Sequence, residues 1–165
     1  MNDNETLLYI SLDSYLKQWF IHETGGAMPI KLHKSSVESK ILRVYLTRCP
    51  HNAKPEAPSP DKVAIVLPEF REHPPRIYNY LPDKAKNIFI STIRNRFDIQ
   101  LFNDMLMISN LAKRQDELIM AWMQAHGIEF TGTNLDTITK RYQRQREVYI
   151  NNQRQIRFRK NKKCR

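Results

Sequence analysis

The sequence predicts an α+β protein that is predominantly α-helical, with a small mixed N-terminal module followed by a helical, helix-turn-helix-like module. Eight of the nine prolines lie in residues 50–82, and none lies beyond them. Because proline lacks an amide donor and disfavours helix in the residue before it, this stretch is expected to be largely irregular. After Pro82 the helical periodicity of apolar residues is nearly continuous. We therefore expect modules at 1–81 and 82–153, and a basic flexible tail at 154–165.

The N-terminal module is expected to combine short strands with two short helices. In the second helix, an apolar stripe of Val37, Ile41, Leu42 and Tyr45 is expected to face the core. Serine and aspartate favour helix starts because their side-chain oxygens accept hydrogen bonds from free backbone amides. The expected elements are a strand-like run at 7–10, a helix from Asp13 or Ser14 to about His22, a helix from Ser35 or Ser36 to about Leu46, and a strand at 63–67.

Four helices are expected after Pro82. The first is defined by Ala85, Phe89, Ile93 and Phe97, which recur every four residues. Glycine readily adopts the left-handed conformation that ends many helices, so Gly127 marks one helix end. The other three are a short helix capped by Asp98, a helix from about Lys113 to His126, and a helix that begins at Thr133 and passes Tyr149.

The excess positive charge is concentrated at the C-terminal end. The chain carries 27 Lys and Arg against 17 Asp and Glu, for a formal net charge of +10. Eleven of the basic residues and only one acidic residue, Glu147, lie between Lys140 and Arg165. Residues 1–139 therefore hold 16 charges of each sign and are neutral as a whole. A neutral body with a cationic end favours a polyanionic partner.

The stretch from Asp116 to Arg146 has the pattern of a helix, a glycine turn and a second helix. In the second helix Leu135, Ile138 and Tyr142 share one face, and polar side chains occupy the other. A DNA-recognition helix needs this division, because the core fixes its orientation while exposed side chains reach the bases. Arginine and lysine suit phosphates and guanine, asparagine suits adenine, and threonine can reach a base or the thymine methyl group. The expected nucleic-acid-binding residues are Asn134, Thr137, Lys140, Arg141, Arg144, Arg154, Arg157, Arg159 and Lys160.

The sequence carries no recognisable catalytic or metal-binding pattern. It contains no GxSxG, P-loop, HExxH or GxGxxG motif. Cys49 and His51 offer two metal ligands, but no second pair has the spacing of a zinc site. We therefore expect a protein that is not an enzyme and has no metal and no cofactor. The polar N-terminus, the lack of a long apolar run and the two separated cysteines predict a cytoplasmic protein without a secretory signal or a membrane partner.

Five segments of the chain carry a resemblance to known sequences. They are residues 12–19 (LDSYLKQW), 113–119 (KRQDELI), 121–123 (AWM), 126–129 (HGIE) and 139–144 (TKRYQR). Through them, most of the chain resembles a family of uncharacterised small basic proteins of Bacteroidetes genomes and mobile elements. The resemblance implies a bacterial cytoplasm and a mobile-element setting, and it brings no functional residues.

The leading hypothesis is duplex DNA binding through the helix from Thr133, in a regulatory role. A solvated amphipathic helix in a plain αα-hairpin is the structural alternative, because six residues from Gly127 to Gly132 exceed the usual 3–4-residue turn of a helix-turn-helix. A functional alternative is RNA or single-strand binding through the basic tail and exposed tyrosines, in which Tyr78 and Tyr80 stack on bases. Another is a protein–protein adaptor of a mobile element, with a protein partner on the N-terminal module.

Overall fold

A computed structural model describes residues 5–53, 56–108 and 114–163, with the side chains of all of these except 157–163. Helix accounts for 56% and strand for 12% of the structure, which confirms the expected α+β class, mainly helical. The chain divides into two compact units, Met1–Arg96 and Phe97–Arg165. The expected modules at 1–81 and 82–153 stay a prediction.

Short strands and helices alternate in the first half of the chain, and three helices follow. In the described residues the elements are β1 (Leu7–Ser11), α1 (Ser14–Glu23), β2 (Ile30–Lys31), α2 (Val37–Tyr45), β3 (Thr47–Arg48), β4 (Lys62–Val66), β5 (Tyr78–Tyr80), α3 (Asp83–Ile108), α4 (Gln115–Ala125) and α5 (Gly132–Lys163).

The first unit is built on a three-stranded sheet with β4 in the centre. β1 pairs with β4 antiparallel, so that Ile10 lies opposite Val63, and β2 pairs with β4 in parallel. Val63 and Ile65 alternate along β4 and are completely buried, which fits a strand with one face on the core. Helix α1 begins after Asp13, as expected, and buries Leu16, Trp19 and Phe20.

Helix α2 begins where expected, but it buries a different face from the predicted one. Ser36 caps it by accepting a hydrogen bond from the backbone amide of Ser39 at 3.0 Å. Of the predicted stripe only Leu42 is buried, whereas Val37 and Tyr45 are exposed. Glu38 and Ser39 are buried instead, and Arg96 donates to the Glu38 carboxylate at 3.1 Å. The predicted stripe was wrong because this ion pair offsets much of the cost of burying a carboxylate.

Helix α3 is a single helix of 26 residues, where the sequence predicted two. The predicted cap, Asp98, lies inside the helix and accepts hydrogen bonds from Arg141. The apolar residues of both predicted helices form one stripe with the same four-residue spacing, so the pattern itself contains no break. The buried stripe consists of Ala85, Phe89, Ile93, Phe97, Leu101 and Met105.

In the second unit, the last part of α3, α4 and the first part of α5 share one core. Gly127 follows α4 with φ of +66°, which confirms the expected left-handed helix end. Helix α5 begins after Thr131. The Thr131 hydroxyl accepts a hydrogen bond from the backbone N–H of Asn134 at 3.1 Å. Thr131 thus caps the helix that the sequence predicted to begin at Thr133. The core residues include Phe97, Leu101, Met105, Leu118, Ile119, Trp122, Met123, Ile128, Ile138 and Tyr142.

Helix α5 is 32 residues long and reaches Lys163. At a rise of about 1.5 Å per residue, its length is about 48 Å. The backbone of residues 154–163 therefore lies in a helix, where a flexible tail was expected.

Candidate nucleic-acid interface

The orientation of α5 is fixed by its inner face. Ile138 is completely buried and Tyr142 nearly so, one turn apart. On the same side, the Arg141 guanidinium donates two hydrogen bonds of 2.7 Å, one to each carboxylate oxygen of Asp98. Arg141 was expected to anchor a nucleic acid, but its charge is already paired inside the unit.

Asn134 is the second expected contact residue whose side chain forms a hydrogen bond within the protein. Only 4% of Asn134 is exposed, and its side-chain amide donates to the Glu129 carbonyl at 3.0 Å. This hydrogen bond ties the loop before α5 to the first turn of the helix. Asn134 is therefore withdrawn from the expected base-reading set, because a buried amide in this position cannot reach a base edge.

Other expected residues lie at the side or on the outer face of α5. Thr137 is half-buried at the side of the helix. Lys140 is exposed, and its ammonium group pairs with Asp136 at 2.7 Å. An exposed pair at this spacing contributes only a few tenths of a kcal/mol, so Lys140 can exchange its partner for a phosphate at small cost.

The outer face of α5 carries a line of residues that we name the outward stripe. Its members follow the 4–3–4–3 spacing of one helix face, opposite Ile138 and Tyr142. The stripe spans 15 residues, and its ends are 14 residue steps or about 21 Å apart along the helix. It consists of Lys140, Arg144, Glu147, Asn151 and Arg154.

From Arg146 to Ile156 every side chain of α5 is exposed, and we name this stretch the exposed segment. Arg144, Arg146 and Arg154 form no ion pair with a carboxylate in the described part of the chain. Their guanidinium groups therefore remain available for an anionic ligand. Arg157, Arg159 and Lys160 lie further along the helix, and their side chains fall outside those that the structure describes.

Several polar residues of the exposed segment were not among the predicted contacts. The sequence signal for most of them is the run of residues 151–155 (NNQRQ), where α5 has no apolar residue, and the signal for Arg146 is its place in the basic stretch that begins at Lys140. The core seam of α5 ends near Tyr149, so these side chains surround a helix that is no longer packed on one side. The missed candidates are Arg146, Asn151, Asn152, Gln153 and Gln155.

Three aromatic residues outside α5 are candidate surfaces on which a base could stack: Trp122 lies in the core, and Tyr78 and Tyr80 lie near the surface. Trp122 is buried, and its indole N–H donates to the Asp104 carboxylate at 2.9 Å. Tyr78 and Tyr80 on β5 are half-buried. The Arg48 guanidinium lies 5.7 Å from the Tyr78 ring centre, and the Lys86 ammonium lies 5.9 Å from that of Tyr80. These two tyrosines retain a partly open surface in the first unit.

Within the described residues, no three His, Cys, Asp or Glu side chains are grouped so that they could hold a metal ion. Of the helices in the described ranges, none combines the length and the apolar character that crossing a bilayer requires.

No protein-family model, curated protein or solved structure matches this chain. The resemblance to small basic proteins of Bacteroidetes genomes and mobile elements stays a prediction.

Proposed function

We propose that the chain binds nucleic acid, duplex DNA above all, through the outward stripe and the exposed segment of α5. The observation that carries this proposal is the change in α5 near Arg146. Before that point the helix packs on the core of the second unit, and from Arg146 to Ile156 all of its side chains are exposed. The first part fixes the direction of the helix, and the second part offers a surface to a ligand.

The shape and chemistry of this surface suit a duplex. An α-helix fits the major groove of B-DNA, which is about 12 Å wide. Arginine recognises guanine edges, and asparagine or glutamine recognises adenine edges, each through paired hydrogen bonds. The exposed segment carries Arg154 between Gln153 and Gln155 and adds Asn151 and Asn152. These residues replace Asn134 and Arg141 as the proposed contacts.

The charge of α5 supports the same ligand. Glu147 is the one acidic residue between Lys140 and the chain end, against 11 basic residues. Cations concentrated on one element attract phosphates more strongly than the same charge spread over a neutral surface. Phosphate contacts would supply most of the affinity, and the amide side chains would supply base preference.

The order of α4, loop and α5 gives a structural setting for this role. With α5 as the recognition helix, the arrangement is a helix-turn-helix-like unit whose six-residue loop, 126–131, is longer than usual. A regulatory role, a setting in a bacterial mobile element and the absence of catalytic activity are also part of the proposal. The setting follows from the sequence resemblance alone, and the expectation of no catalytic activity rests on the lack of a catalytic motif in the sequence.

The test compares two double variants that remove equal charge from exposed sites. Arg144→Ala with Arg154→Ala removes two cations of the outward stripe, and Lys40→Ala with Lys84→Ala removes two exposed cations of the first unit. Affinity for a 20-base-pair duplex is measured by fluorescence anisotropy at low salt. We expect the α5 variant to bind about tenfold or more weakly, and the control variant to bind like the wild type.

Equal affinity of the α5 variant and the wild type would contradict the proposal. Competition with single-stranded DNA and RNA of the same sequence tests the choice of ligand. We expect the duplex to compete best, whereas stronger competition by a single strand would favour a stacking surface such as Tyr78 and Tyr80.

A further inference from the structure

A groove in the second unit opens beside the exposed segment of α5. Its volume is about 360 Å³, toward the lower end of the range of roughly 300–1,000 Å³ that is typical of small-molecule sites. The end of α3, the start of α4 and the middle of α5 form its walls. Its lining includes Phe102, Leu106, Leu118, Tyr142, Arg146 and Tyr149.

Aromatic rings form one wall of this groove. The ring centres of Phe102 and Tyr149 are 5.4 Å apart with their planes at 50°, and those of Phe102 and Tyr142 are 6.4 Å apart at 35°. Because the rings are inclined, Phe102 and Tyr149 do not cover each other's faces completely. Tyr149 is 41% exposed, so its ring is accessible from solvent. A planar ligand can therefore stack in the groove.

The polar groups of the groove complement an anion attached to a planar ring. Arg146 is the charged residue among the described lining residues, and none of those residues is acidic. Its guanidinium can bind a phosphate through two hydrogen bonds. Gln115 adds a side-chain amide, which both donates and accepts hydrogen bonds at the edge of a base.

We propose that this groove receives one unpaired nucleobase of a nucleic acid bound along α5, with the adjoining phosphate at Arg146. The proposal rests on the function proposed above, since α5 must first hold the nucleic acid. A base inside a duplex is stacked and paired, so only an unpaired base, such as one in a bulge or at an end, can enter the groove. Stacking on aromatic side chains accepts any base, because every base has a π-face.

The experiment uses the full chain and three oligonucleotides of one sequence. The first is a fully paired duplex, the second carries one extrahelical 2-aminopurine, and the third carries an abasic site at the same position. We expect binding to be about fivefold or more tighter for the base-bearing bulge than for the abasic one. The fluorescence of 2-aminopurine should fall on binding, because stacking quenches it.

Two variants, one in the groove and one outside both the groove and α5, test the assignment. Tyr149→Ala removes a ring from the groove and should abolish the preference for the base-bearing bulge. Ile99→Ala on α3 changes a residue that is 62% exposed and is not among the described lining residues, and it should keep the preference. Circular dichroism of both variants should match that of the wild type, since both positions are exposed.

The outcomes distinguish this inference from the function on which it rests. Equal affinity for the base-bearing and abasic bulges, with duplex binding intact, would overturn the groove assignment alone. A preference that persists in Tyr149→Ala would overturn it as well. If none of the three oligonucleotides binds, both proposals fail.

Discussion

Arg141 is a cation whose side chain stabilises the fold by binding a carboxylate of the same unit. Its two hydrogen bonds to Asp98 have the parallel geometry of a strong guanidinium–carboxylate pair, at 2.7 Å each. The two side chains are only 20% and 12% exposed, so solvent screens the pair weakly. Within the second unit, the pair holds α5 against the end of α3.

The first prediction concerns the stability of the second unit. Arg141→Ala should lower the free energy of unfolding by about 2 kcal/mol, because it leaves the Asp98 carboxylate without its partner in a mostly buried position. Arg144→Ala, on the exposed face of the same helix, should change it by less than about 0.5 kcal/mol. Urea denaturation measures both. Equal stabilities of the two variants would show that the pair contributes nothing.

Glu56 gives the first unit a dependence on pH. Burial by itself would raise the pKa of the Glu56 carboxyl, but hydrogen bonds from Lys86 and Lys62 and their charges outweigh it. The pKa therefore lies below its usual value of 4.5. A carboxyl whose pKa is lower in the folded state stabilises the protein above the unfolded-state pKa. That contribution is lost as the pH falls through the folded-state pKa.

The second prediction follows from the lowered pKa of Glu56. Glu56→Gln should lower the urea midpoint at pH 7, and the difference from the wild type should shrink as the pH falls below 4.5. Lys84→Ala, which alters an exposed cation of the same unit, serves as the control and should show no such convergence. A difference that stays constant down to about pH 3 would rule out the assigned role of Glu56.

At this scale the sequence predicts residue types better than residue roles. The types needed for nucleic-acid binding were identified on α5, but Arg141 and Asn134 were assigned to the ligand and in fact bind Asp98 and the Glu129 carbonyl. Asp98 is 43 residues away from Arg141, and the Glu129 carbonyl lies in the loop before α5, so the helical pattern of α5 includes neither partner. Periodicity shows which face of a helix a residue occupies, but it does not show which group of the folded protein that residue contacts.

Helix α5 has two parts that differ in what stabilises them. Up to about Gln145, buried residues such as Ile138 and Tyr142 attach it to the core. In the exposed segment the described side chains are all exposed, so helix propensity, local side-chain pairs and the contact of Tyr149 with Phe102 must maintain the helix. Isolated helical segments of this length are marginally stable in water. A ligand that binds the helical form would therefore stabilise it.

The third prediction is a difference in hydrogen exchange along α5. Amides at 138–145 should be well protected, whereas those at 150–156 should exchange much faster in the free protein. Adding duplex DNA should slow exchange at 150–156 and leave 138–145 little changed. Strong protection at 150–156 in the free protein would mean that this part of α5 has a structural partner already.

At the element scale, the existence of helices was easier to predict than their ends and faces. The starts of α1 and α2 were expected at Asp13 or Ser14 and at Ser35 or Ser36, and the end of α4 at Gly127. Ser36 caps α2 and Gly127 is left-handed, whereas the Asp13 side chain makes no capping hydrogen bond and pairs with Arg94. The continuity of α3 was missed, although its apolar spacing is unbroken, because Asp98 was interpreted as a cap. The buried face of α2 was missed because it depends on the ion pair between Glu38 and the distant Arg96.

For the whole molecule, the separation of charge is the property that points to a ligand. Residues 1–139 are neutral overall, and the last 26 residues carry the net charge of +10. The sequence alone predicted this feature and the α+β class. It could not show that the charged stretch continues as a helix to Lys163, since a basic run without apolar periodicity gives no helical signal.

The most direct test of nucleic-acid binding through α5 is the salt dependence of binding to a 20-base-pair duplex. The dissociation constant of the wild type is measured between about 50 and 200 mM salt. If about six cations of α5 neutralise phosphates, the logarithm of the association constant should fall with the logarithm of the salt concentration at a slope of about −5. A slope near zero, or no binding at the lowest salt concentration, would contradict the proposed function.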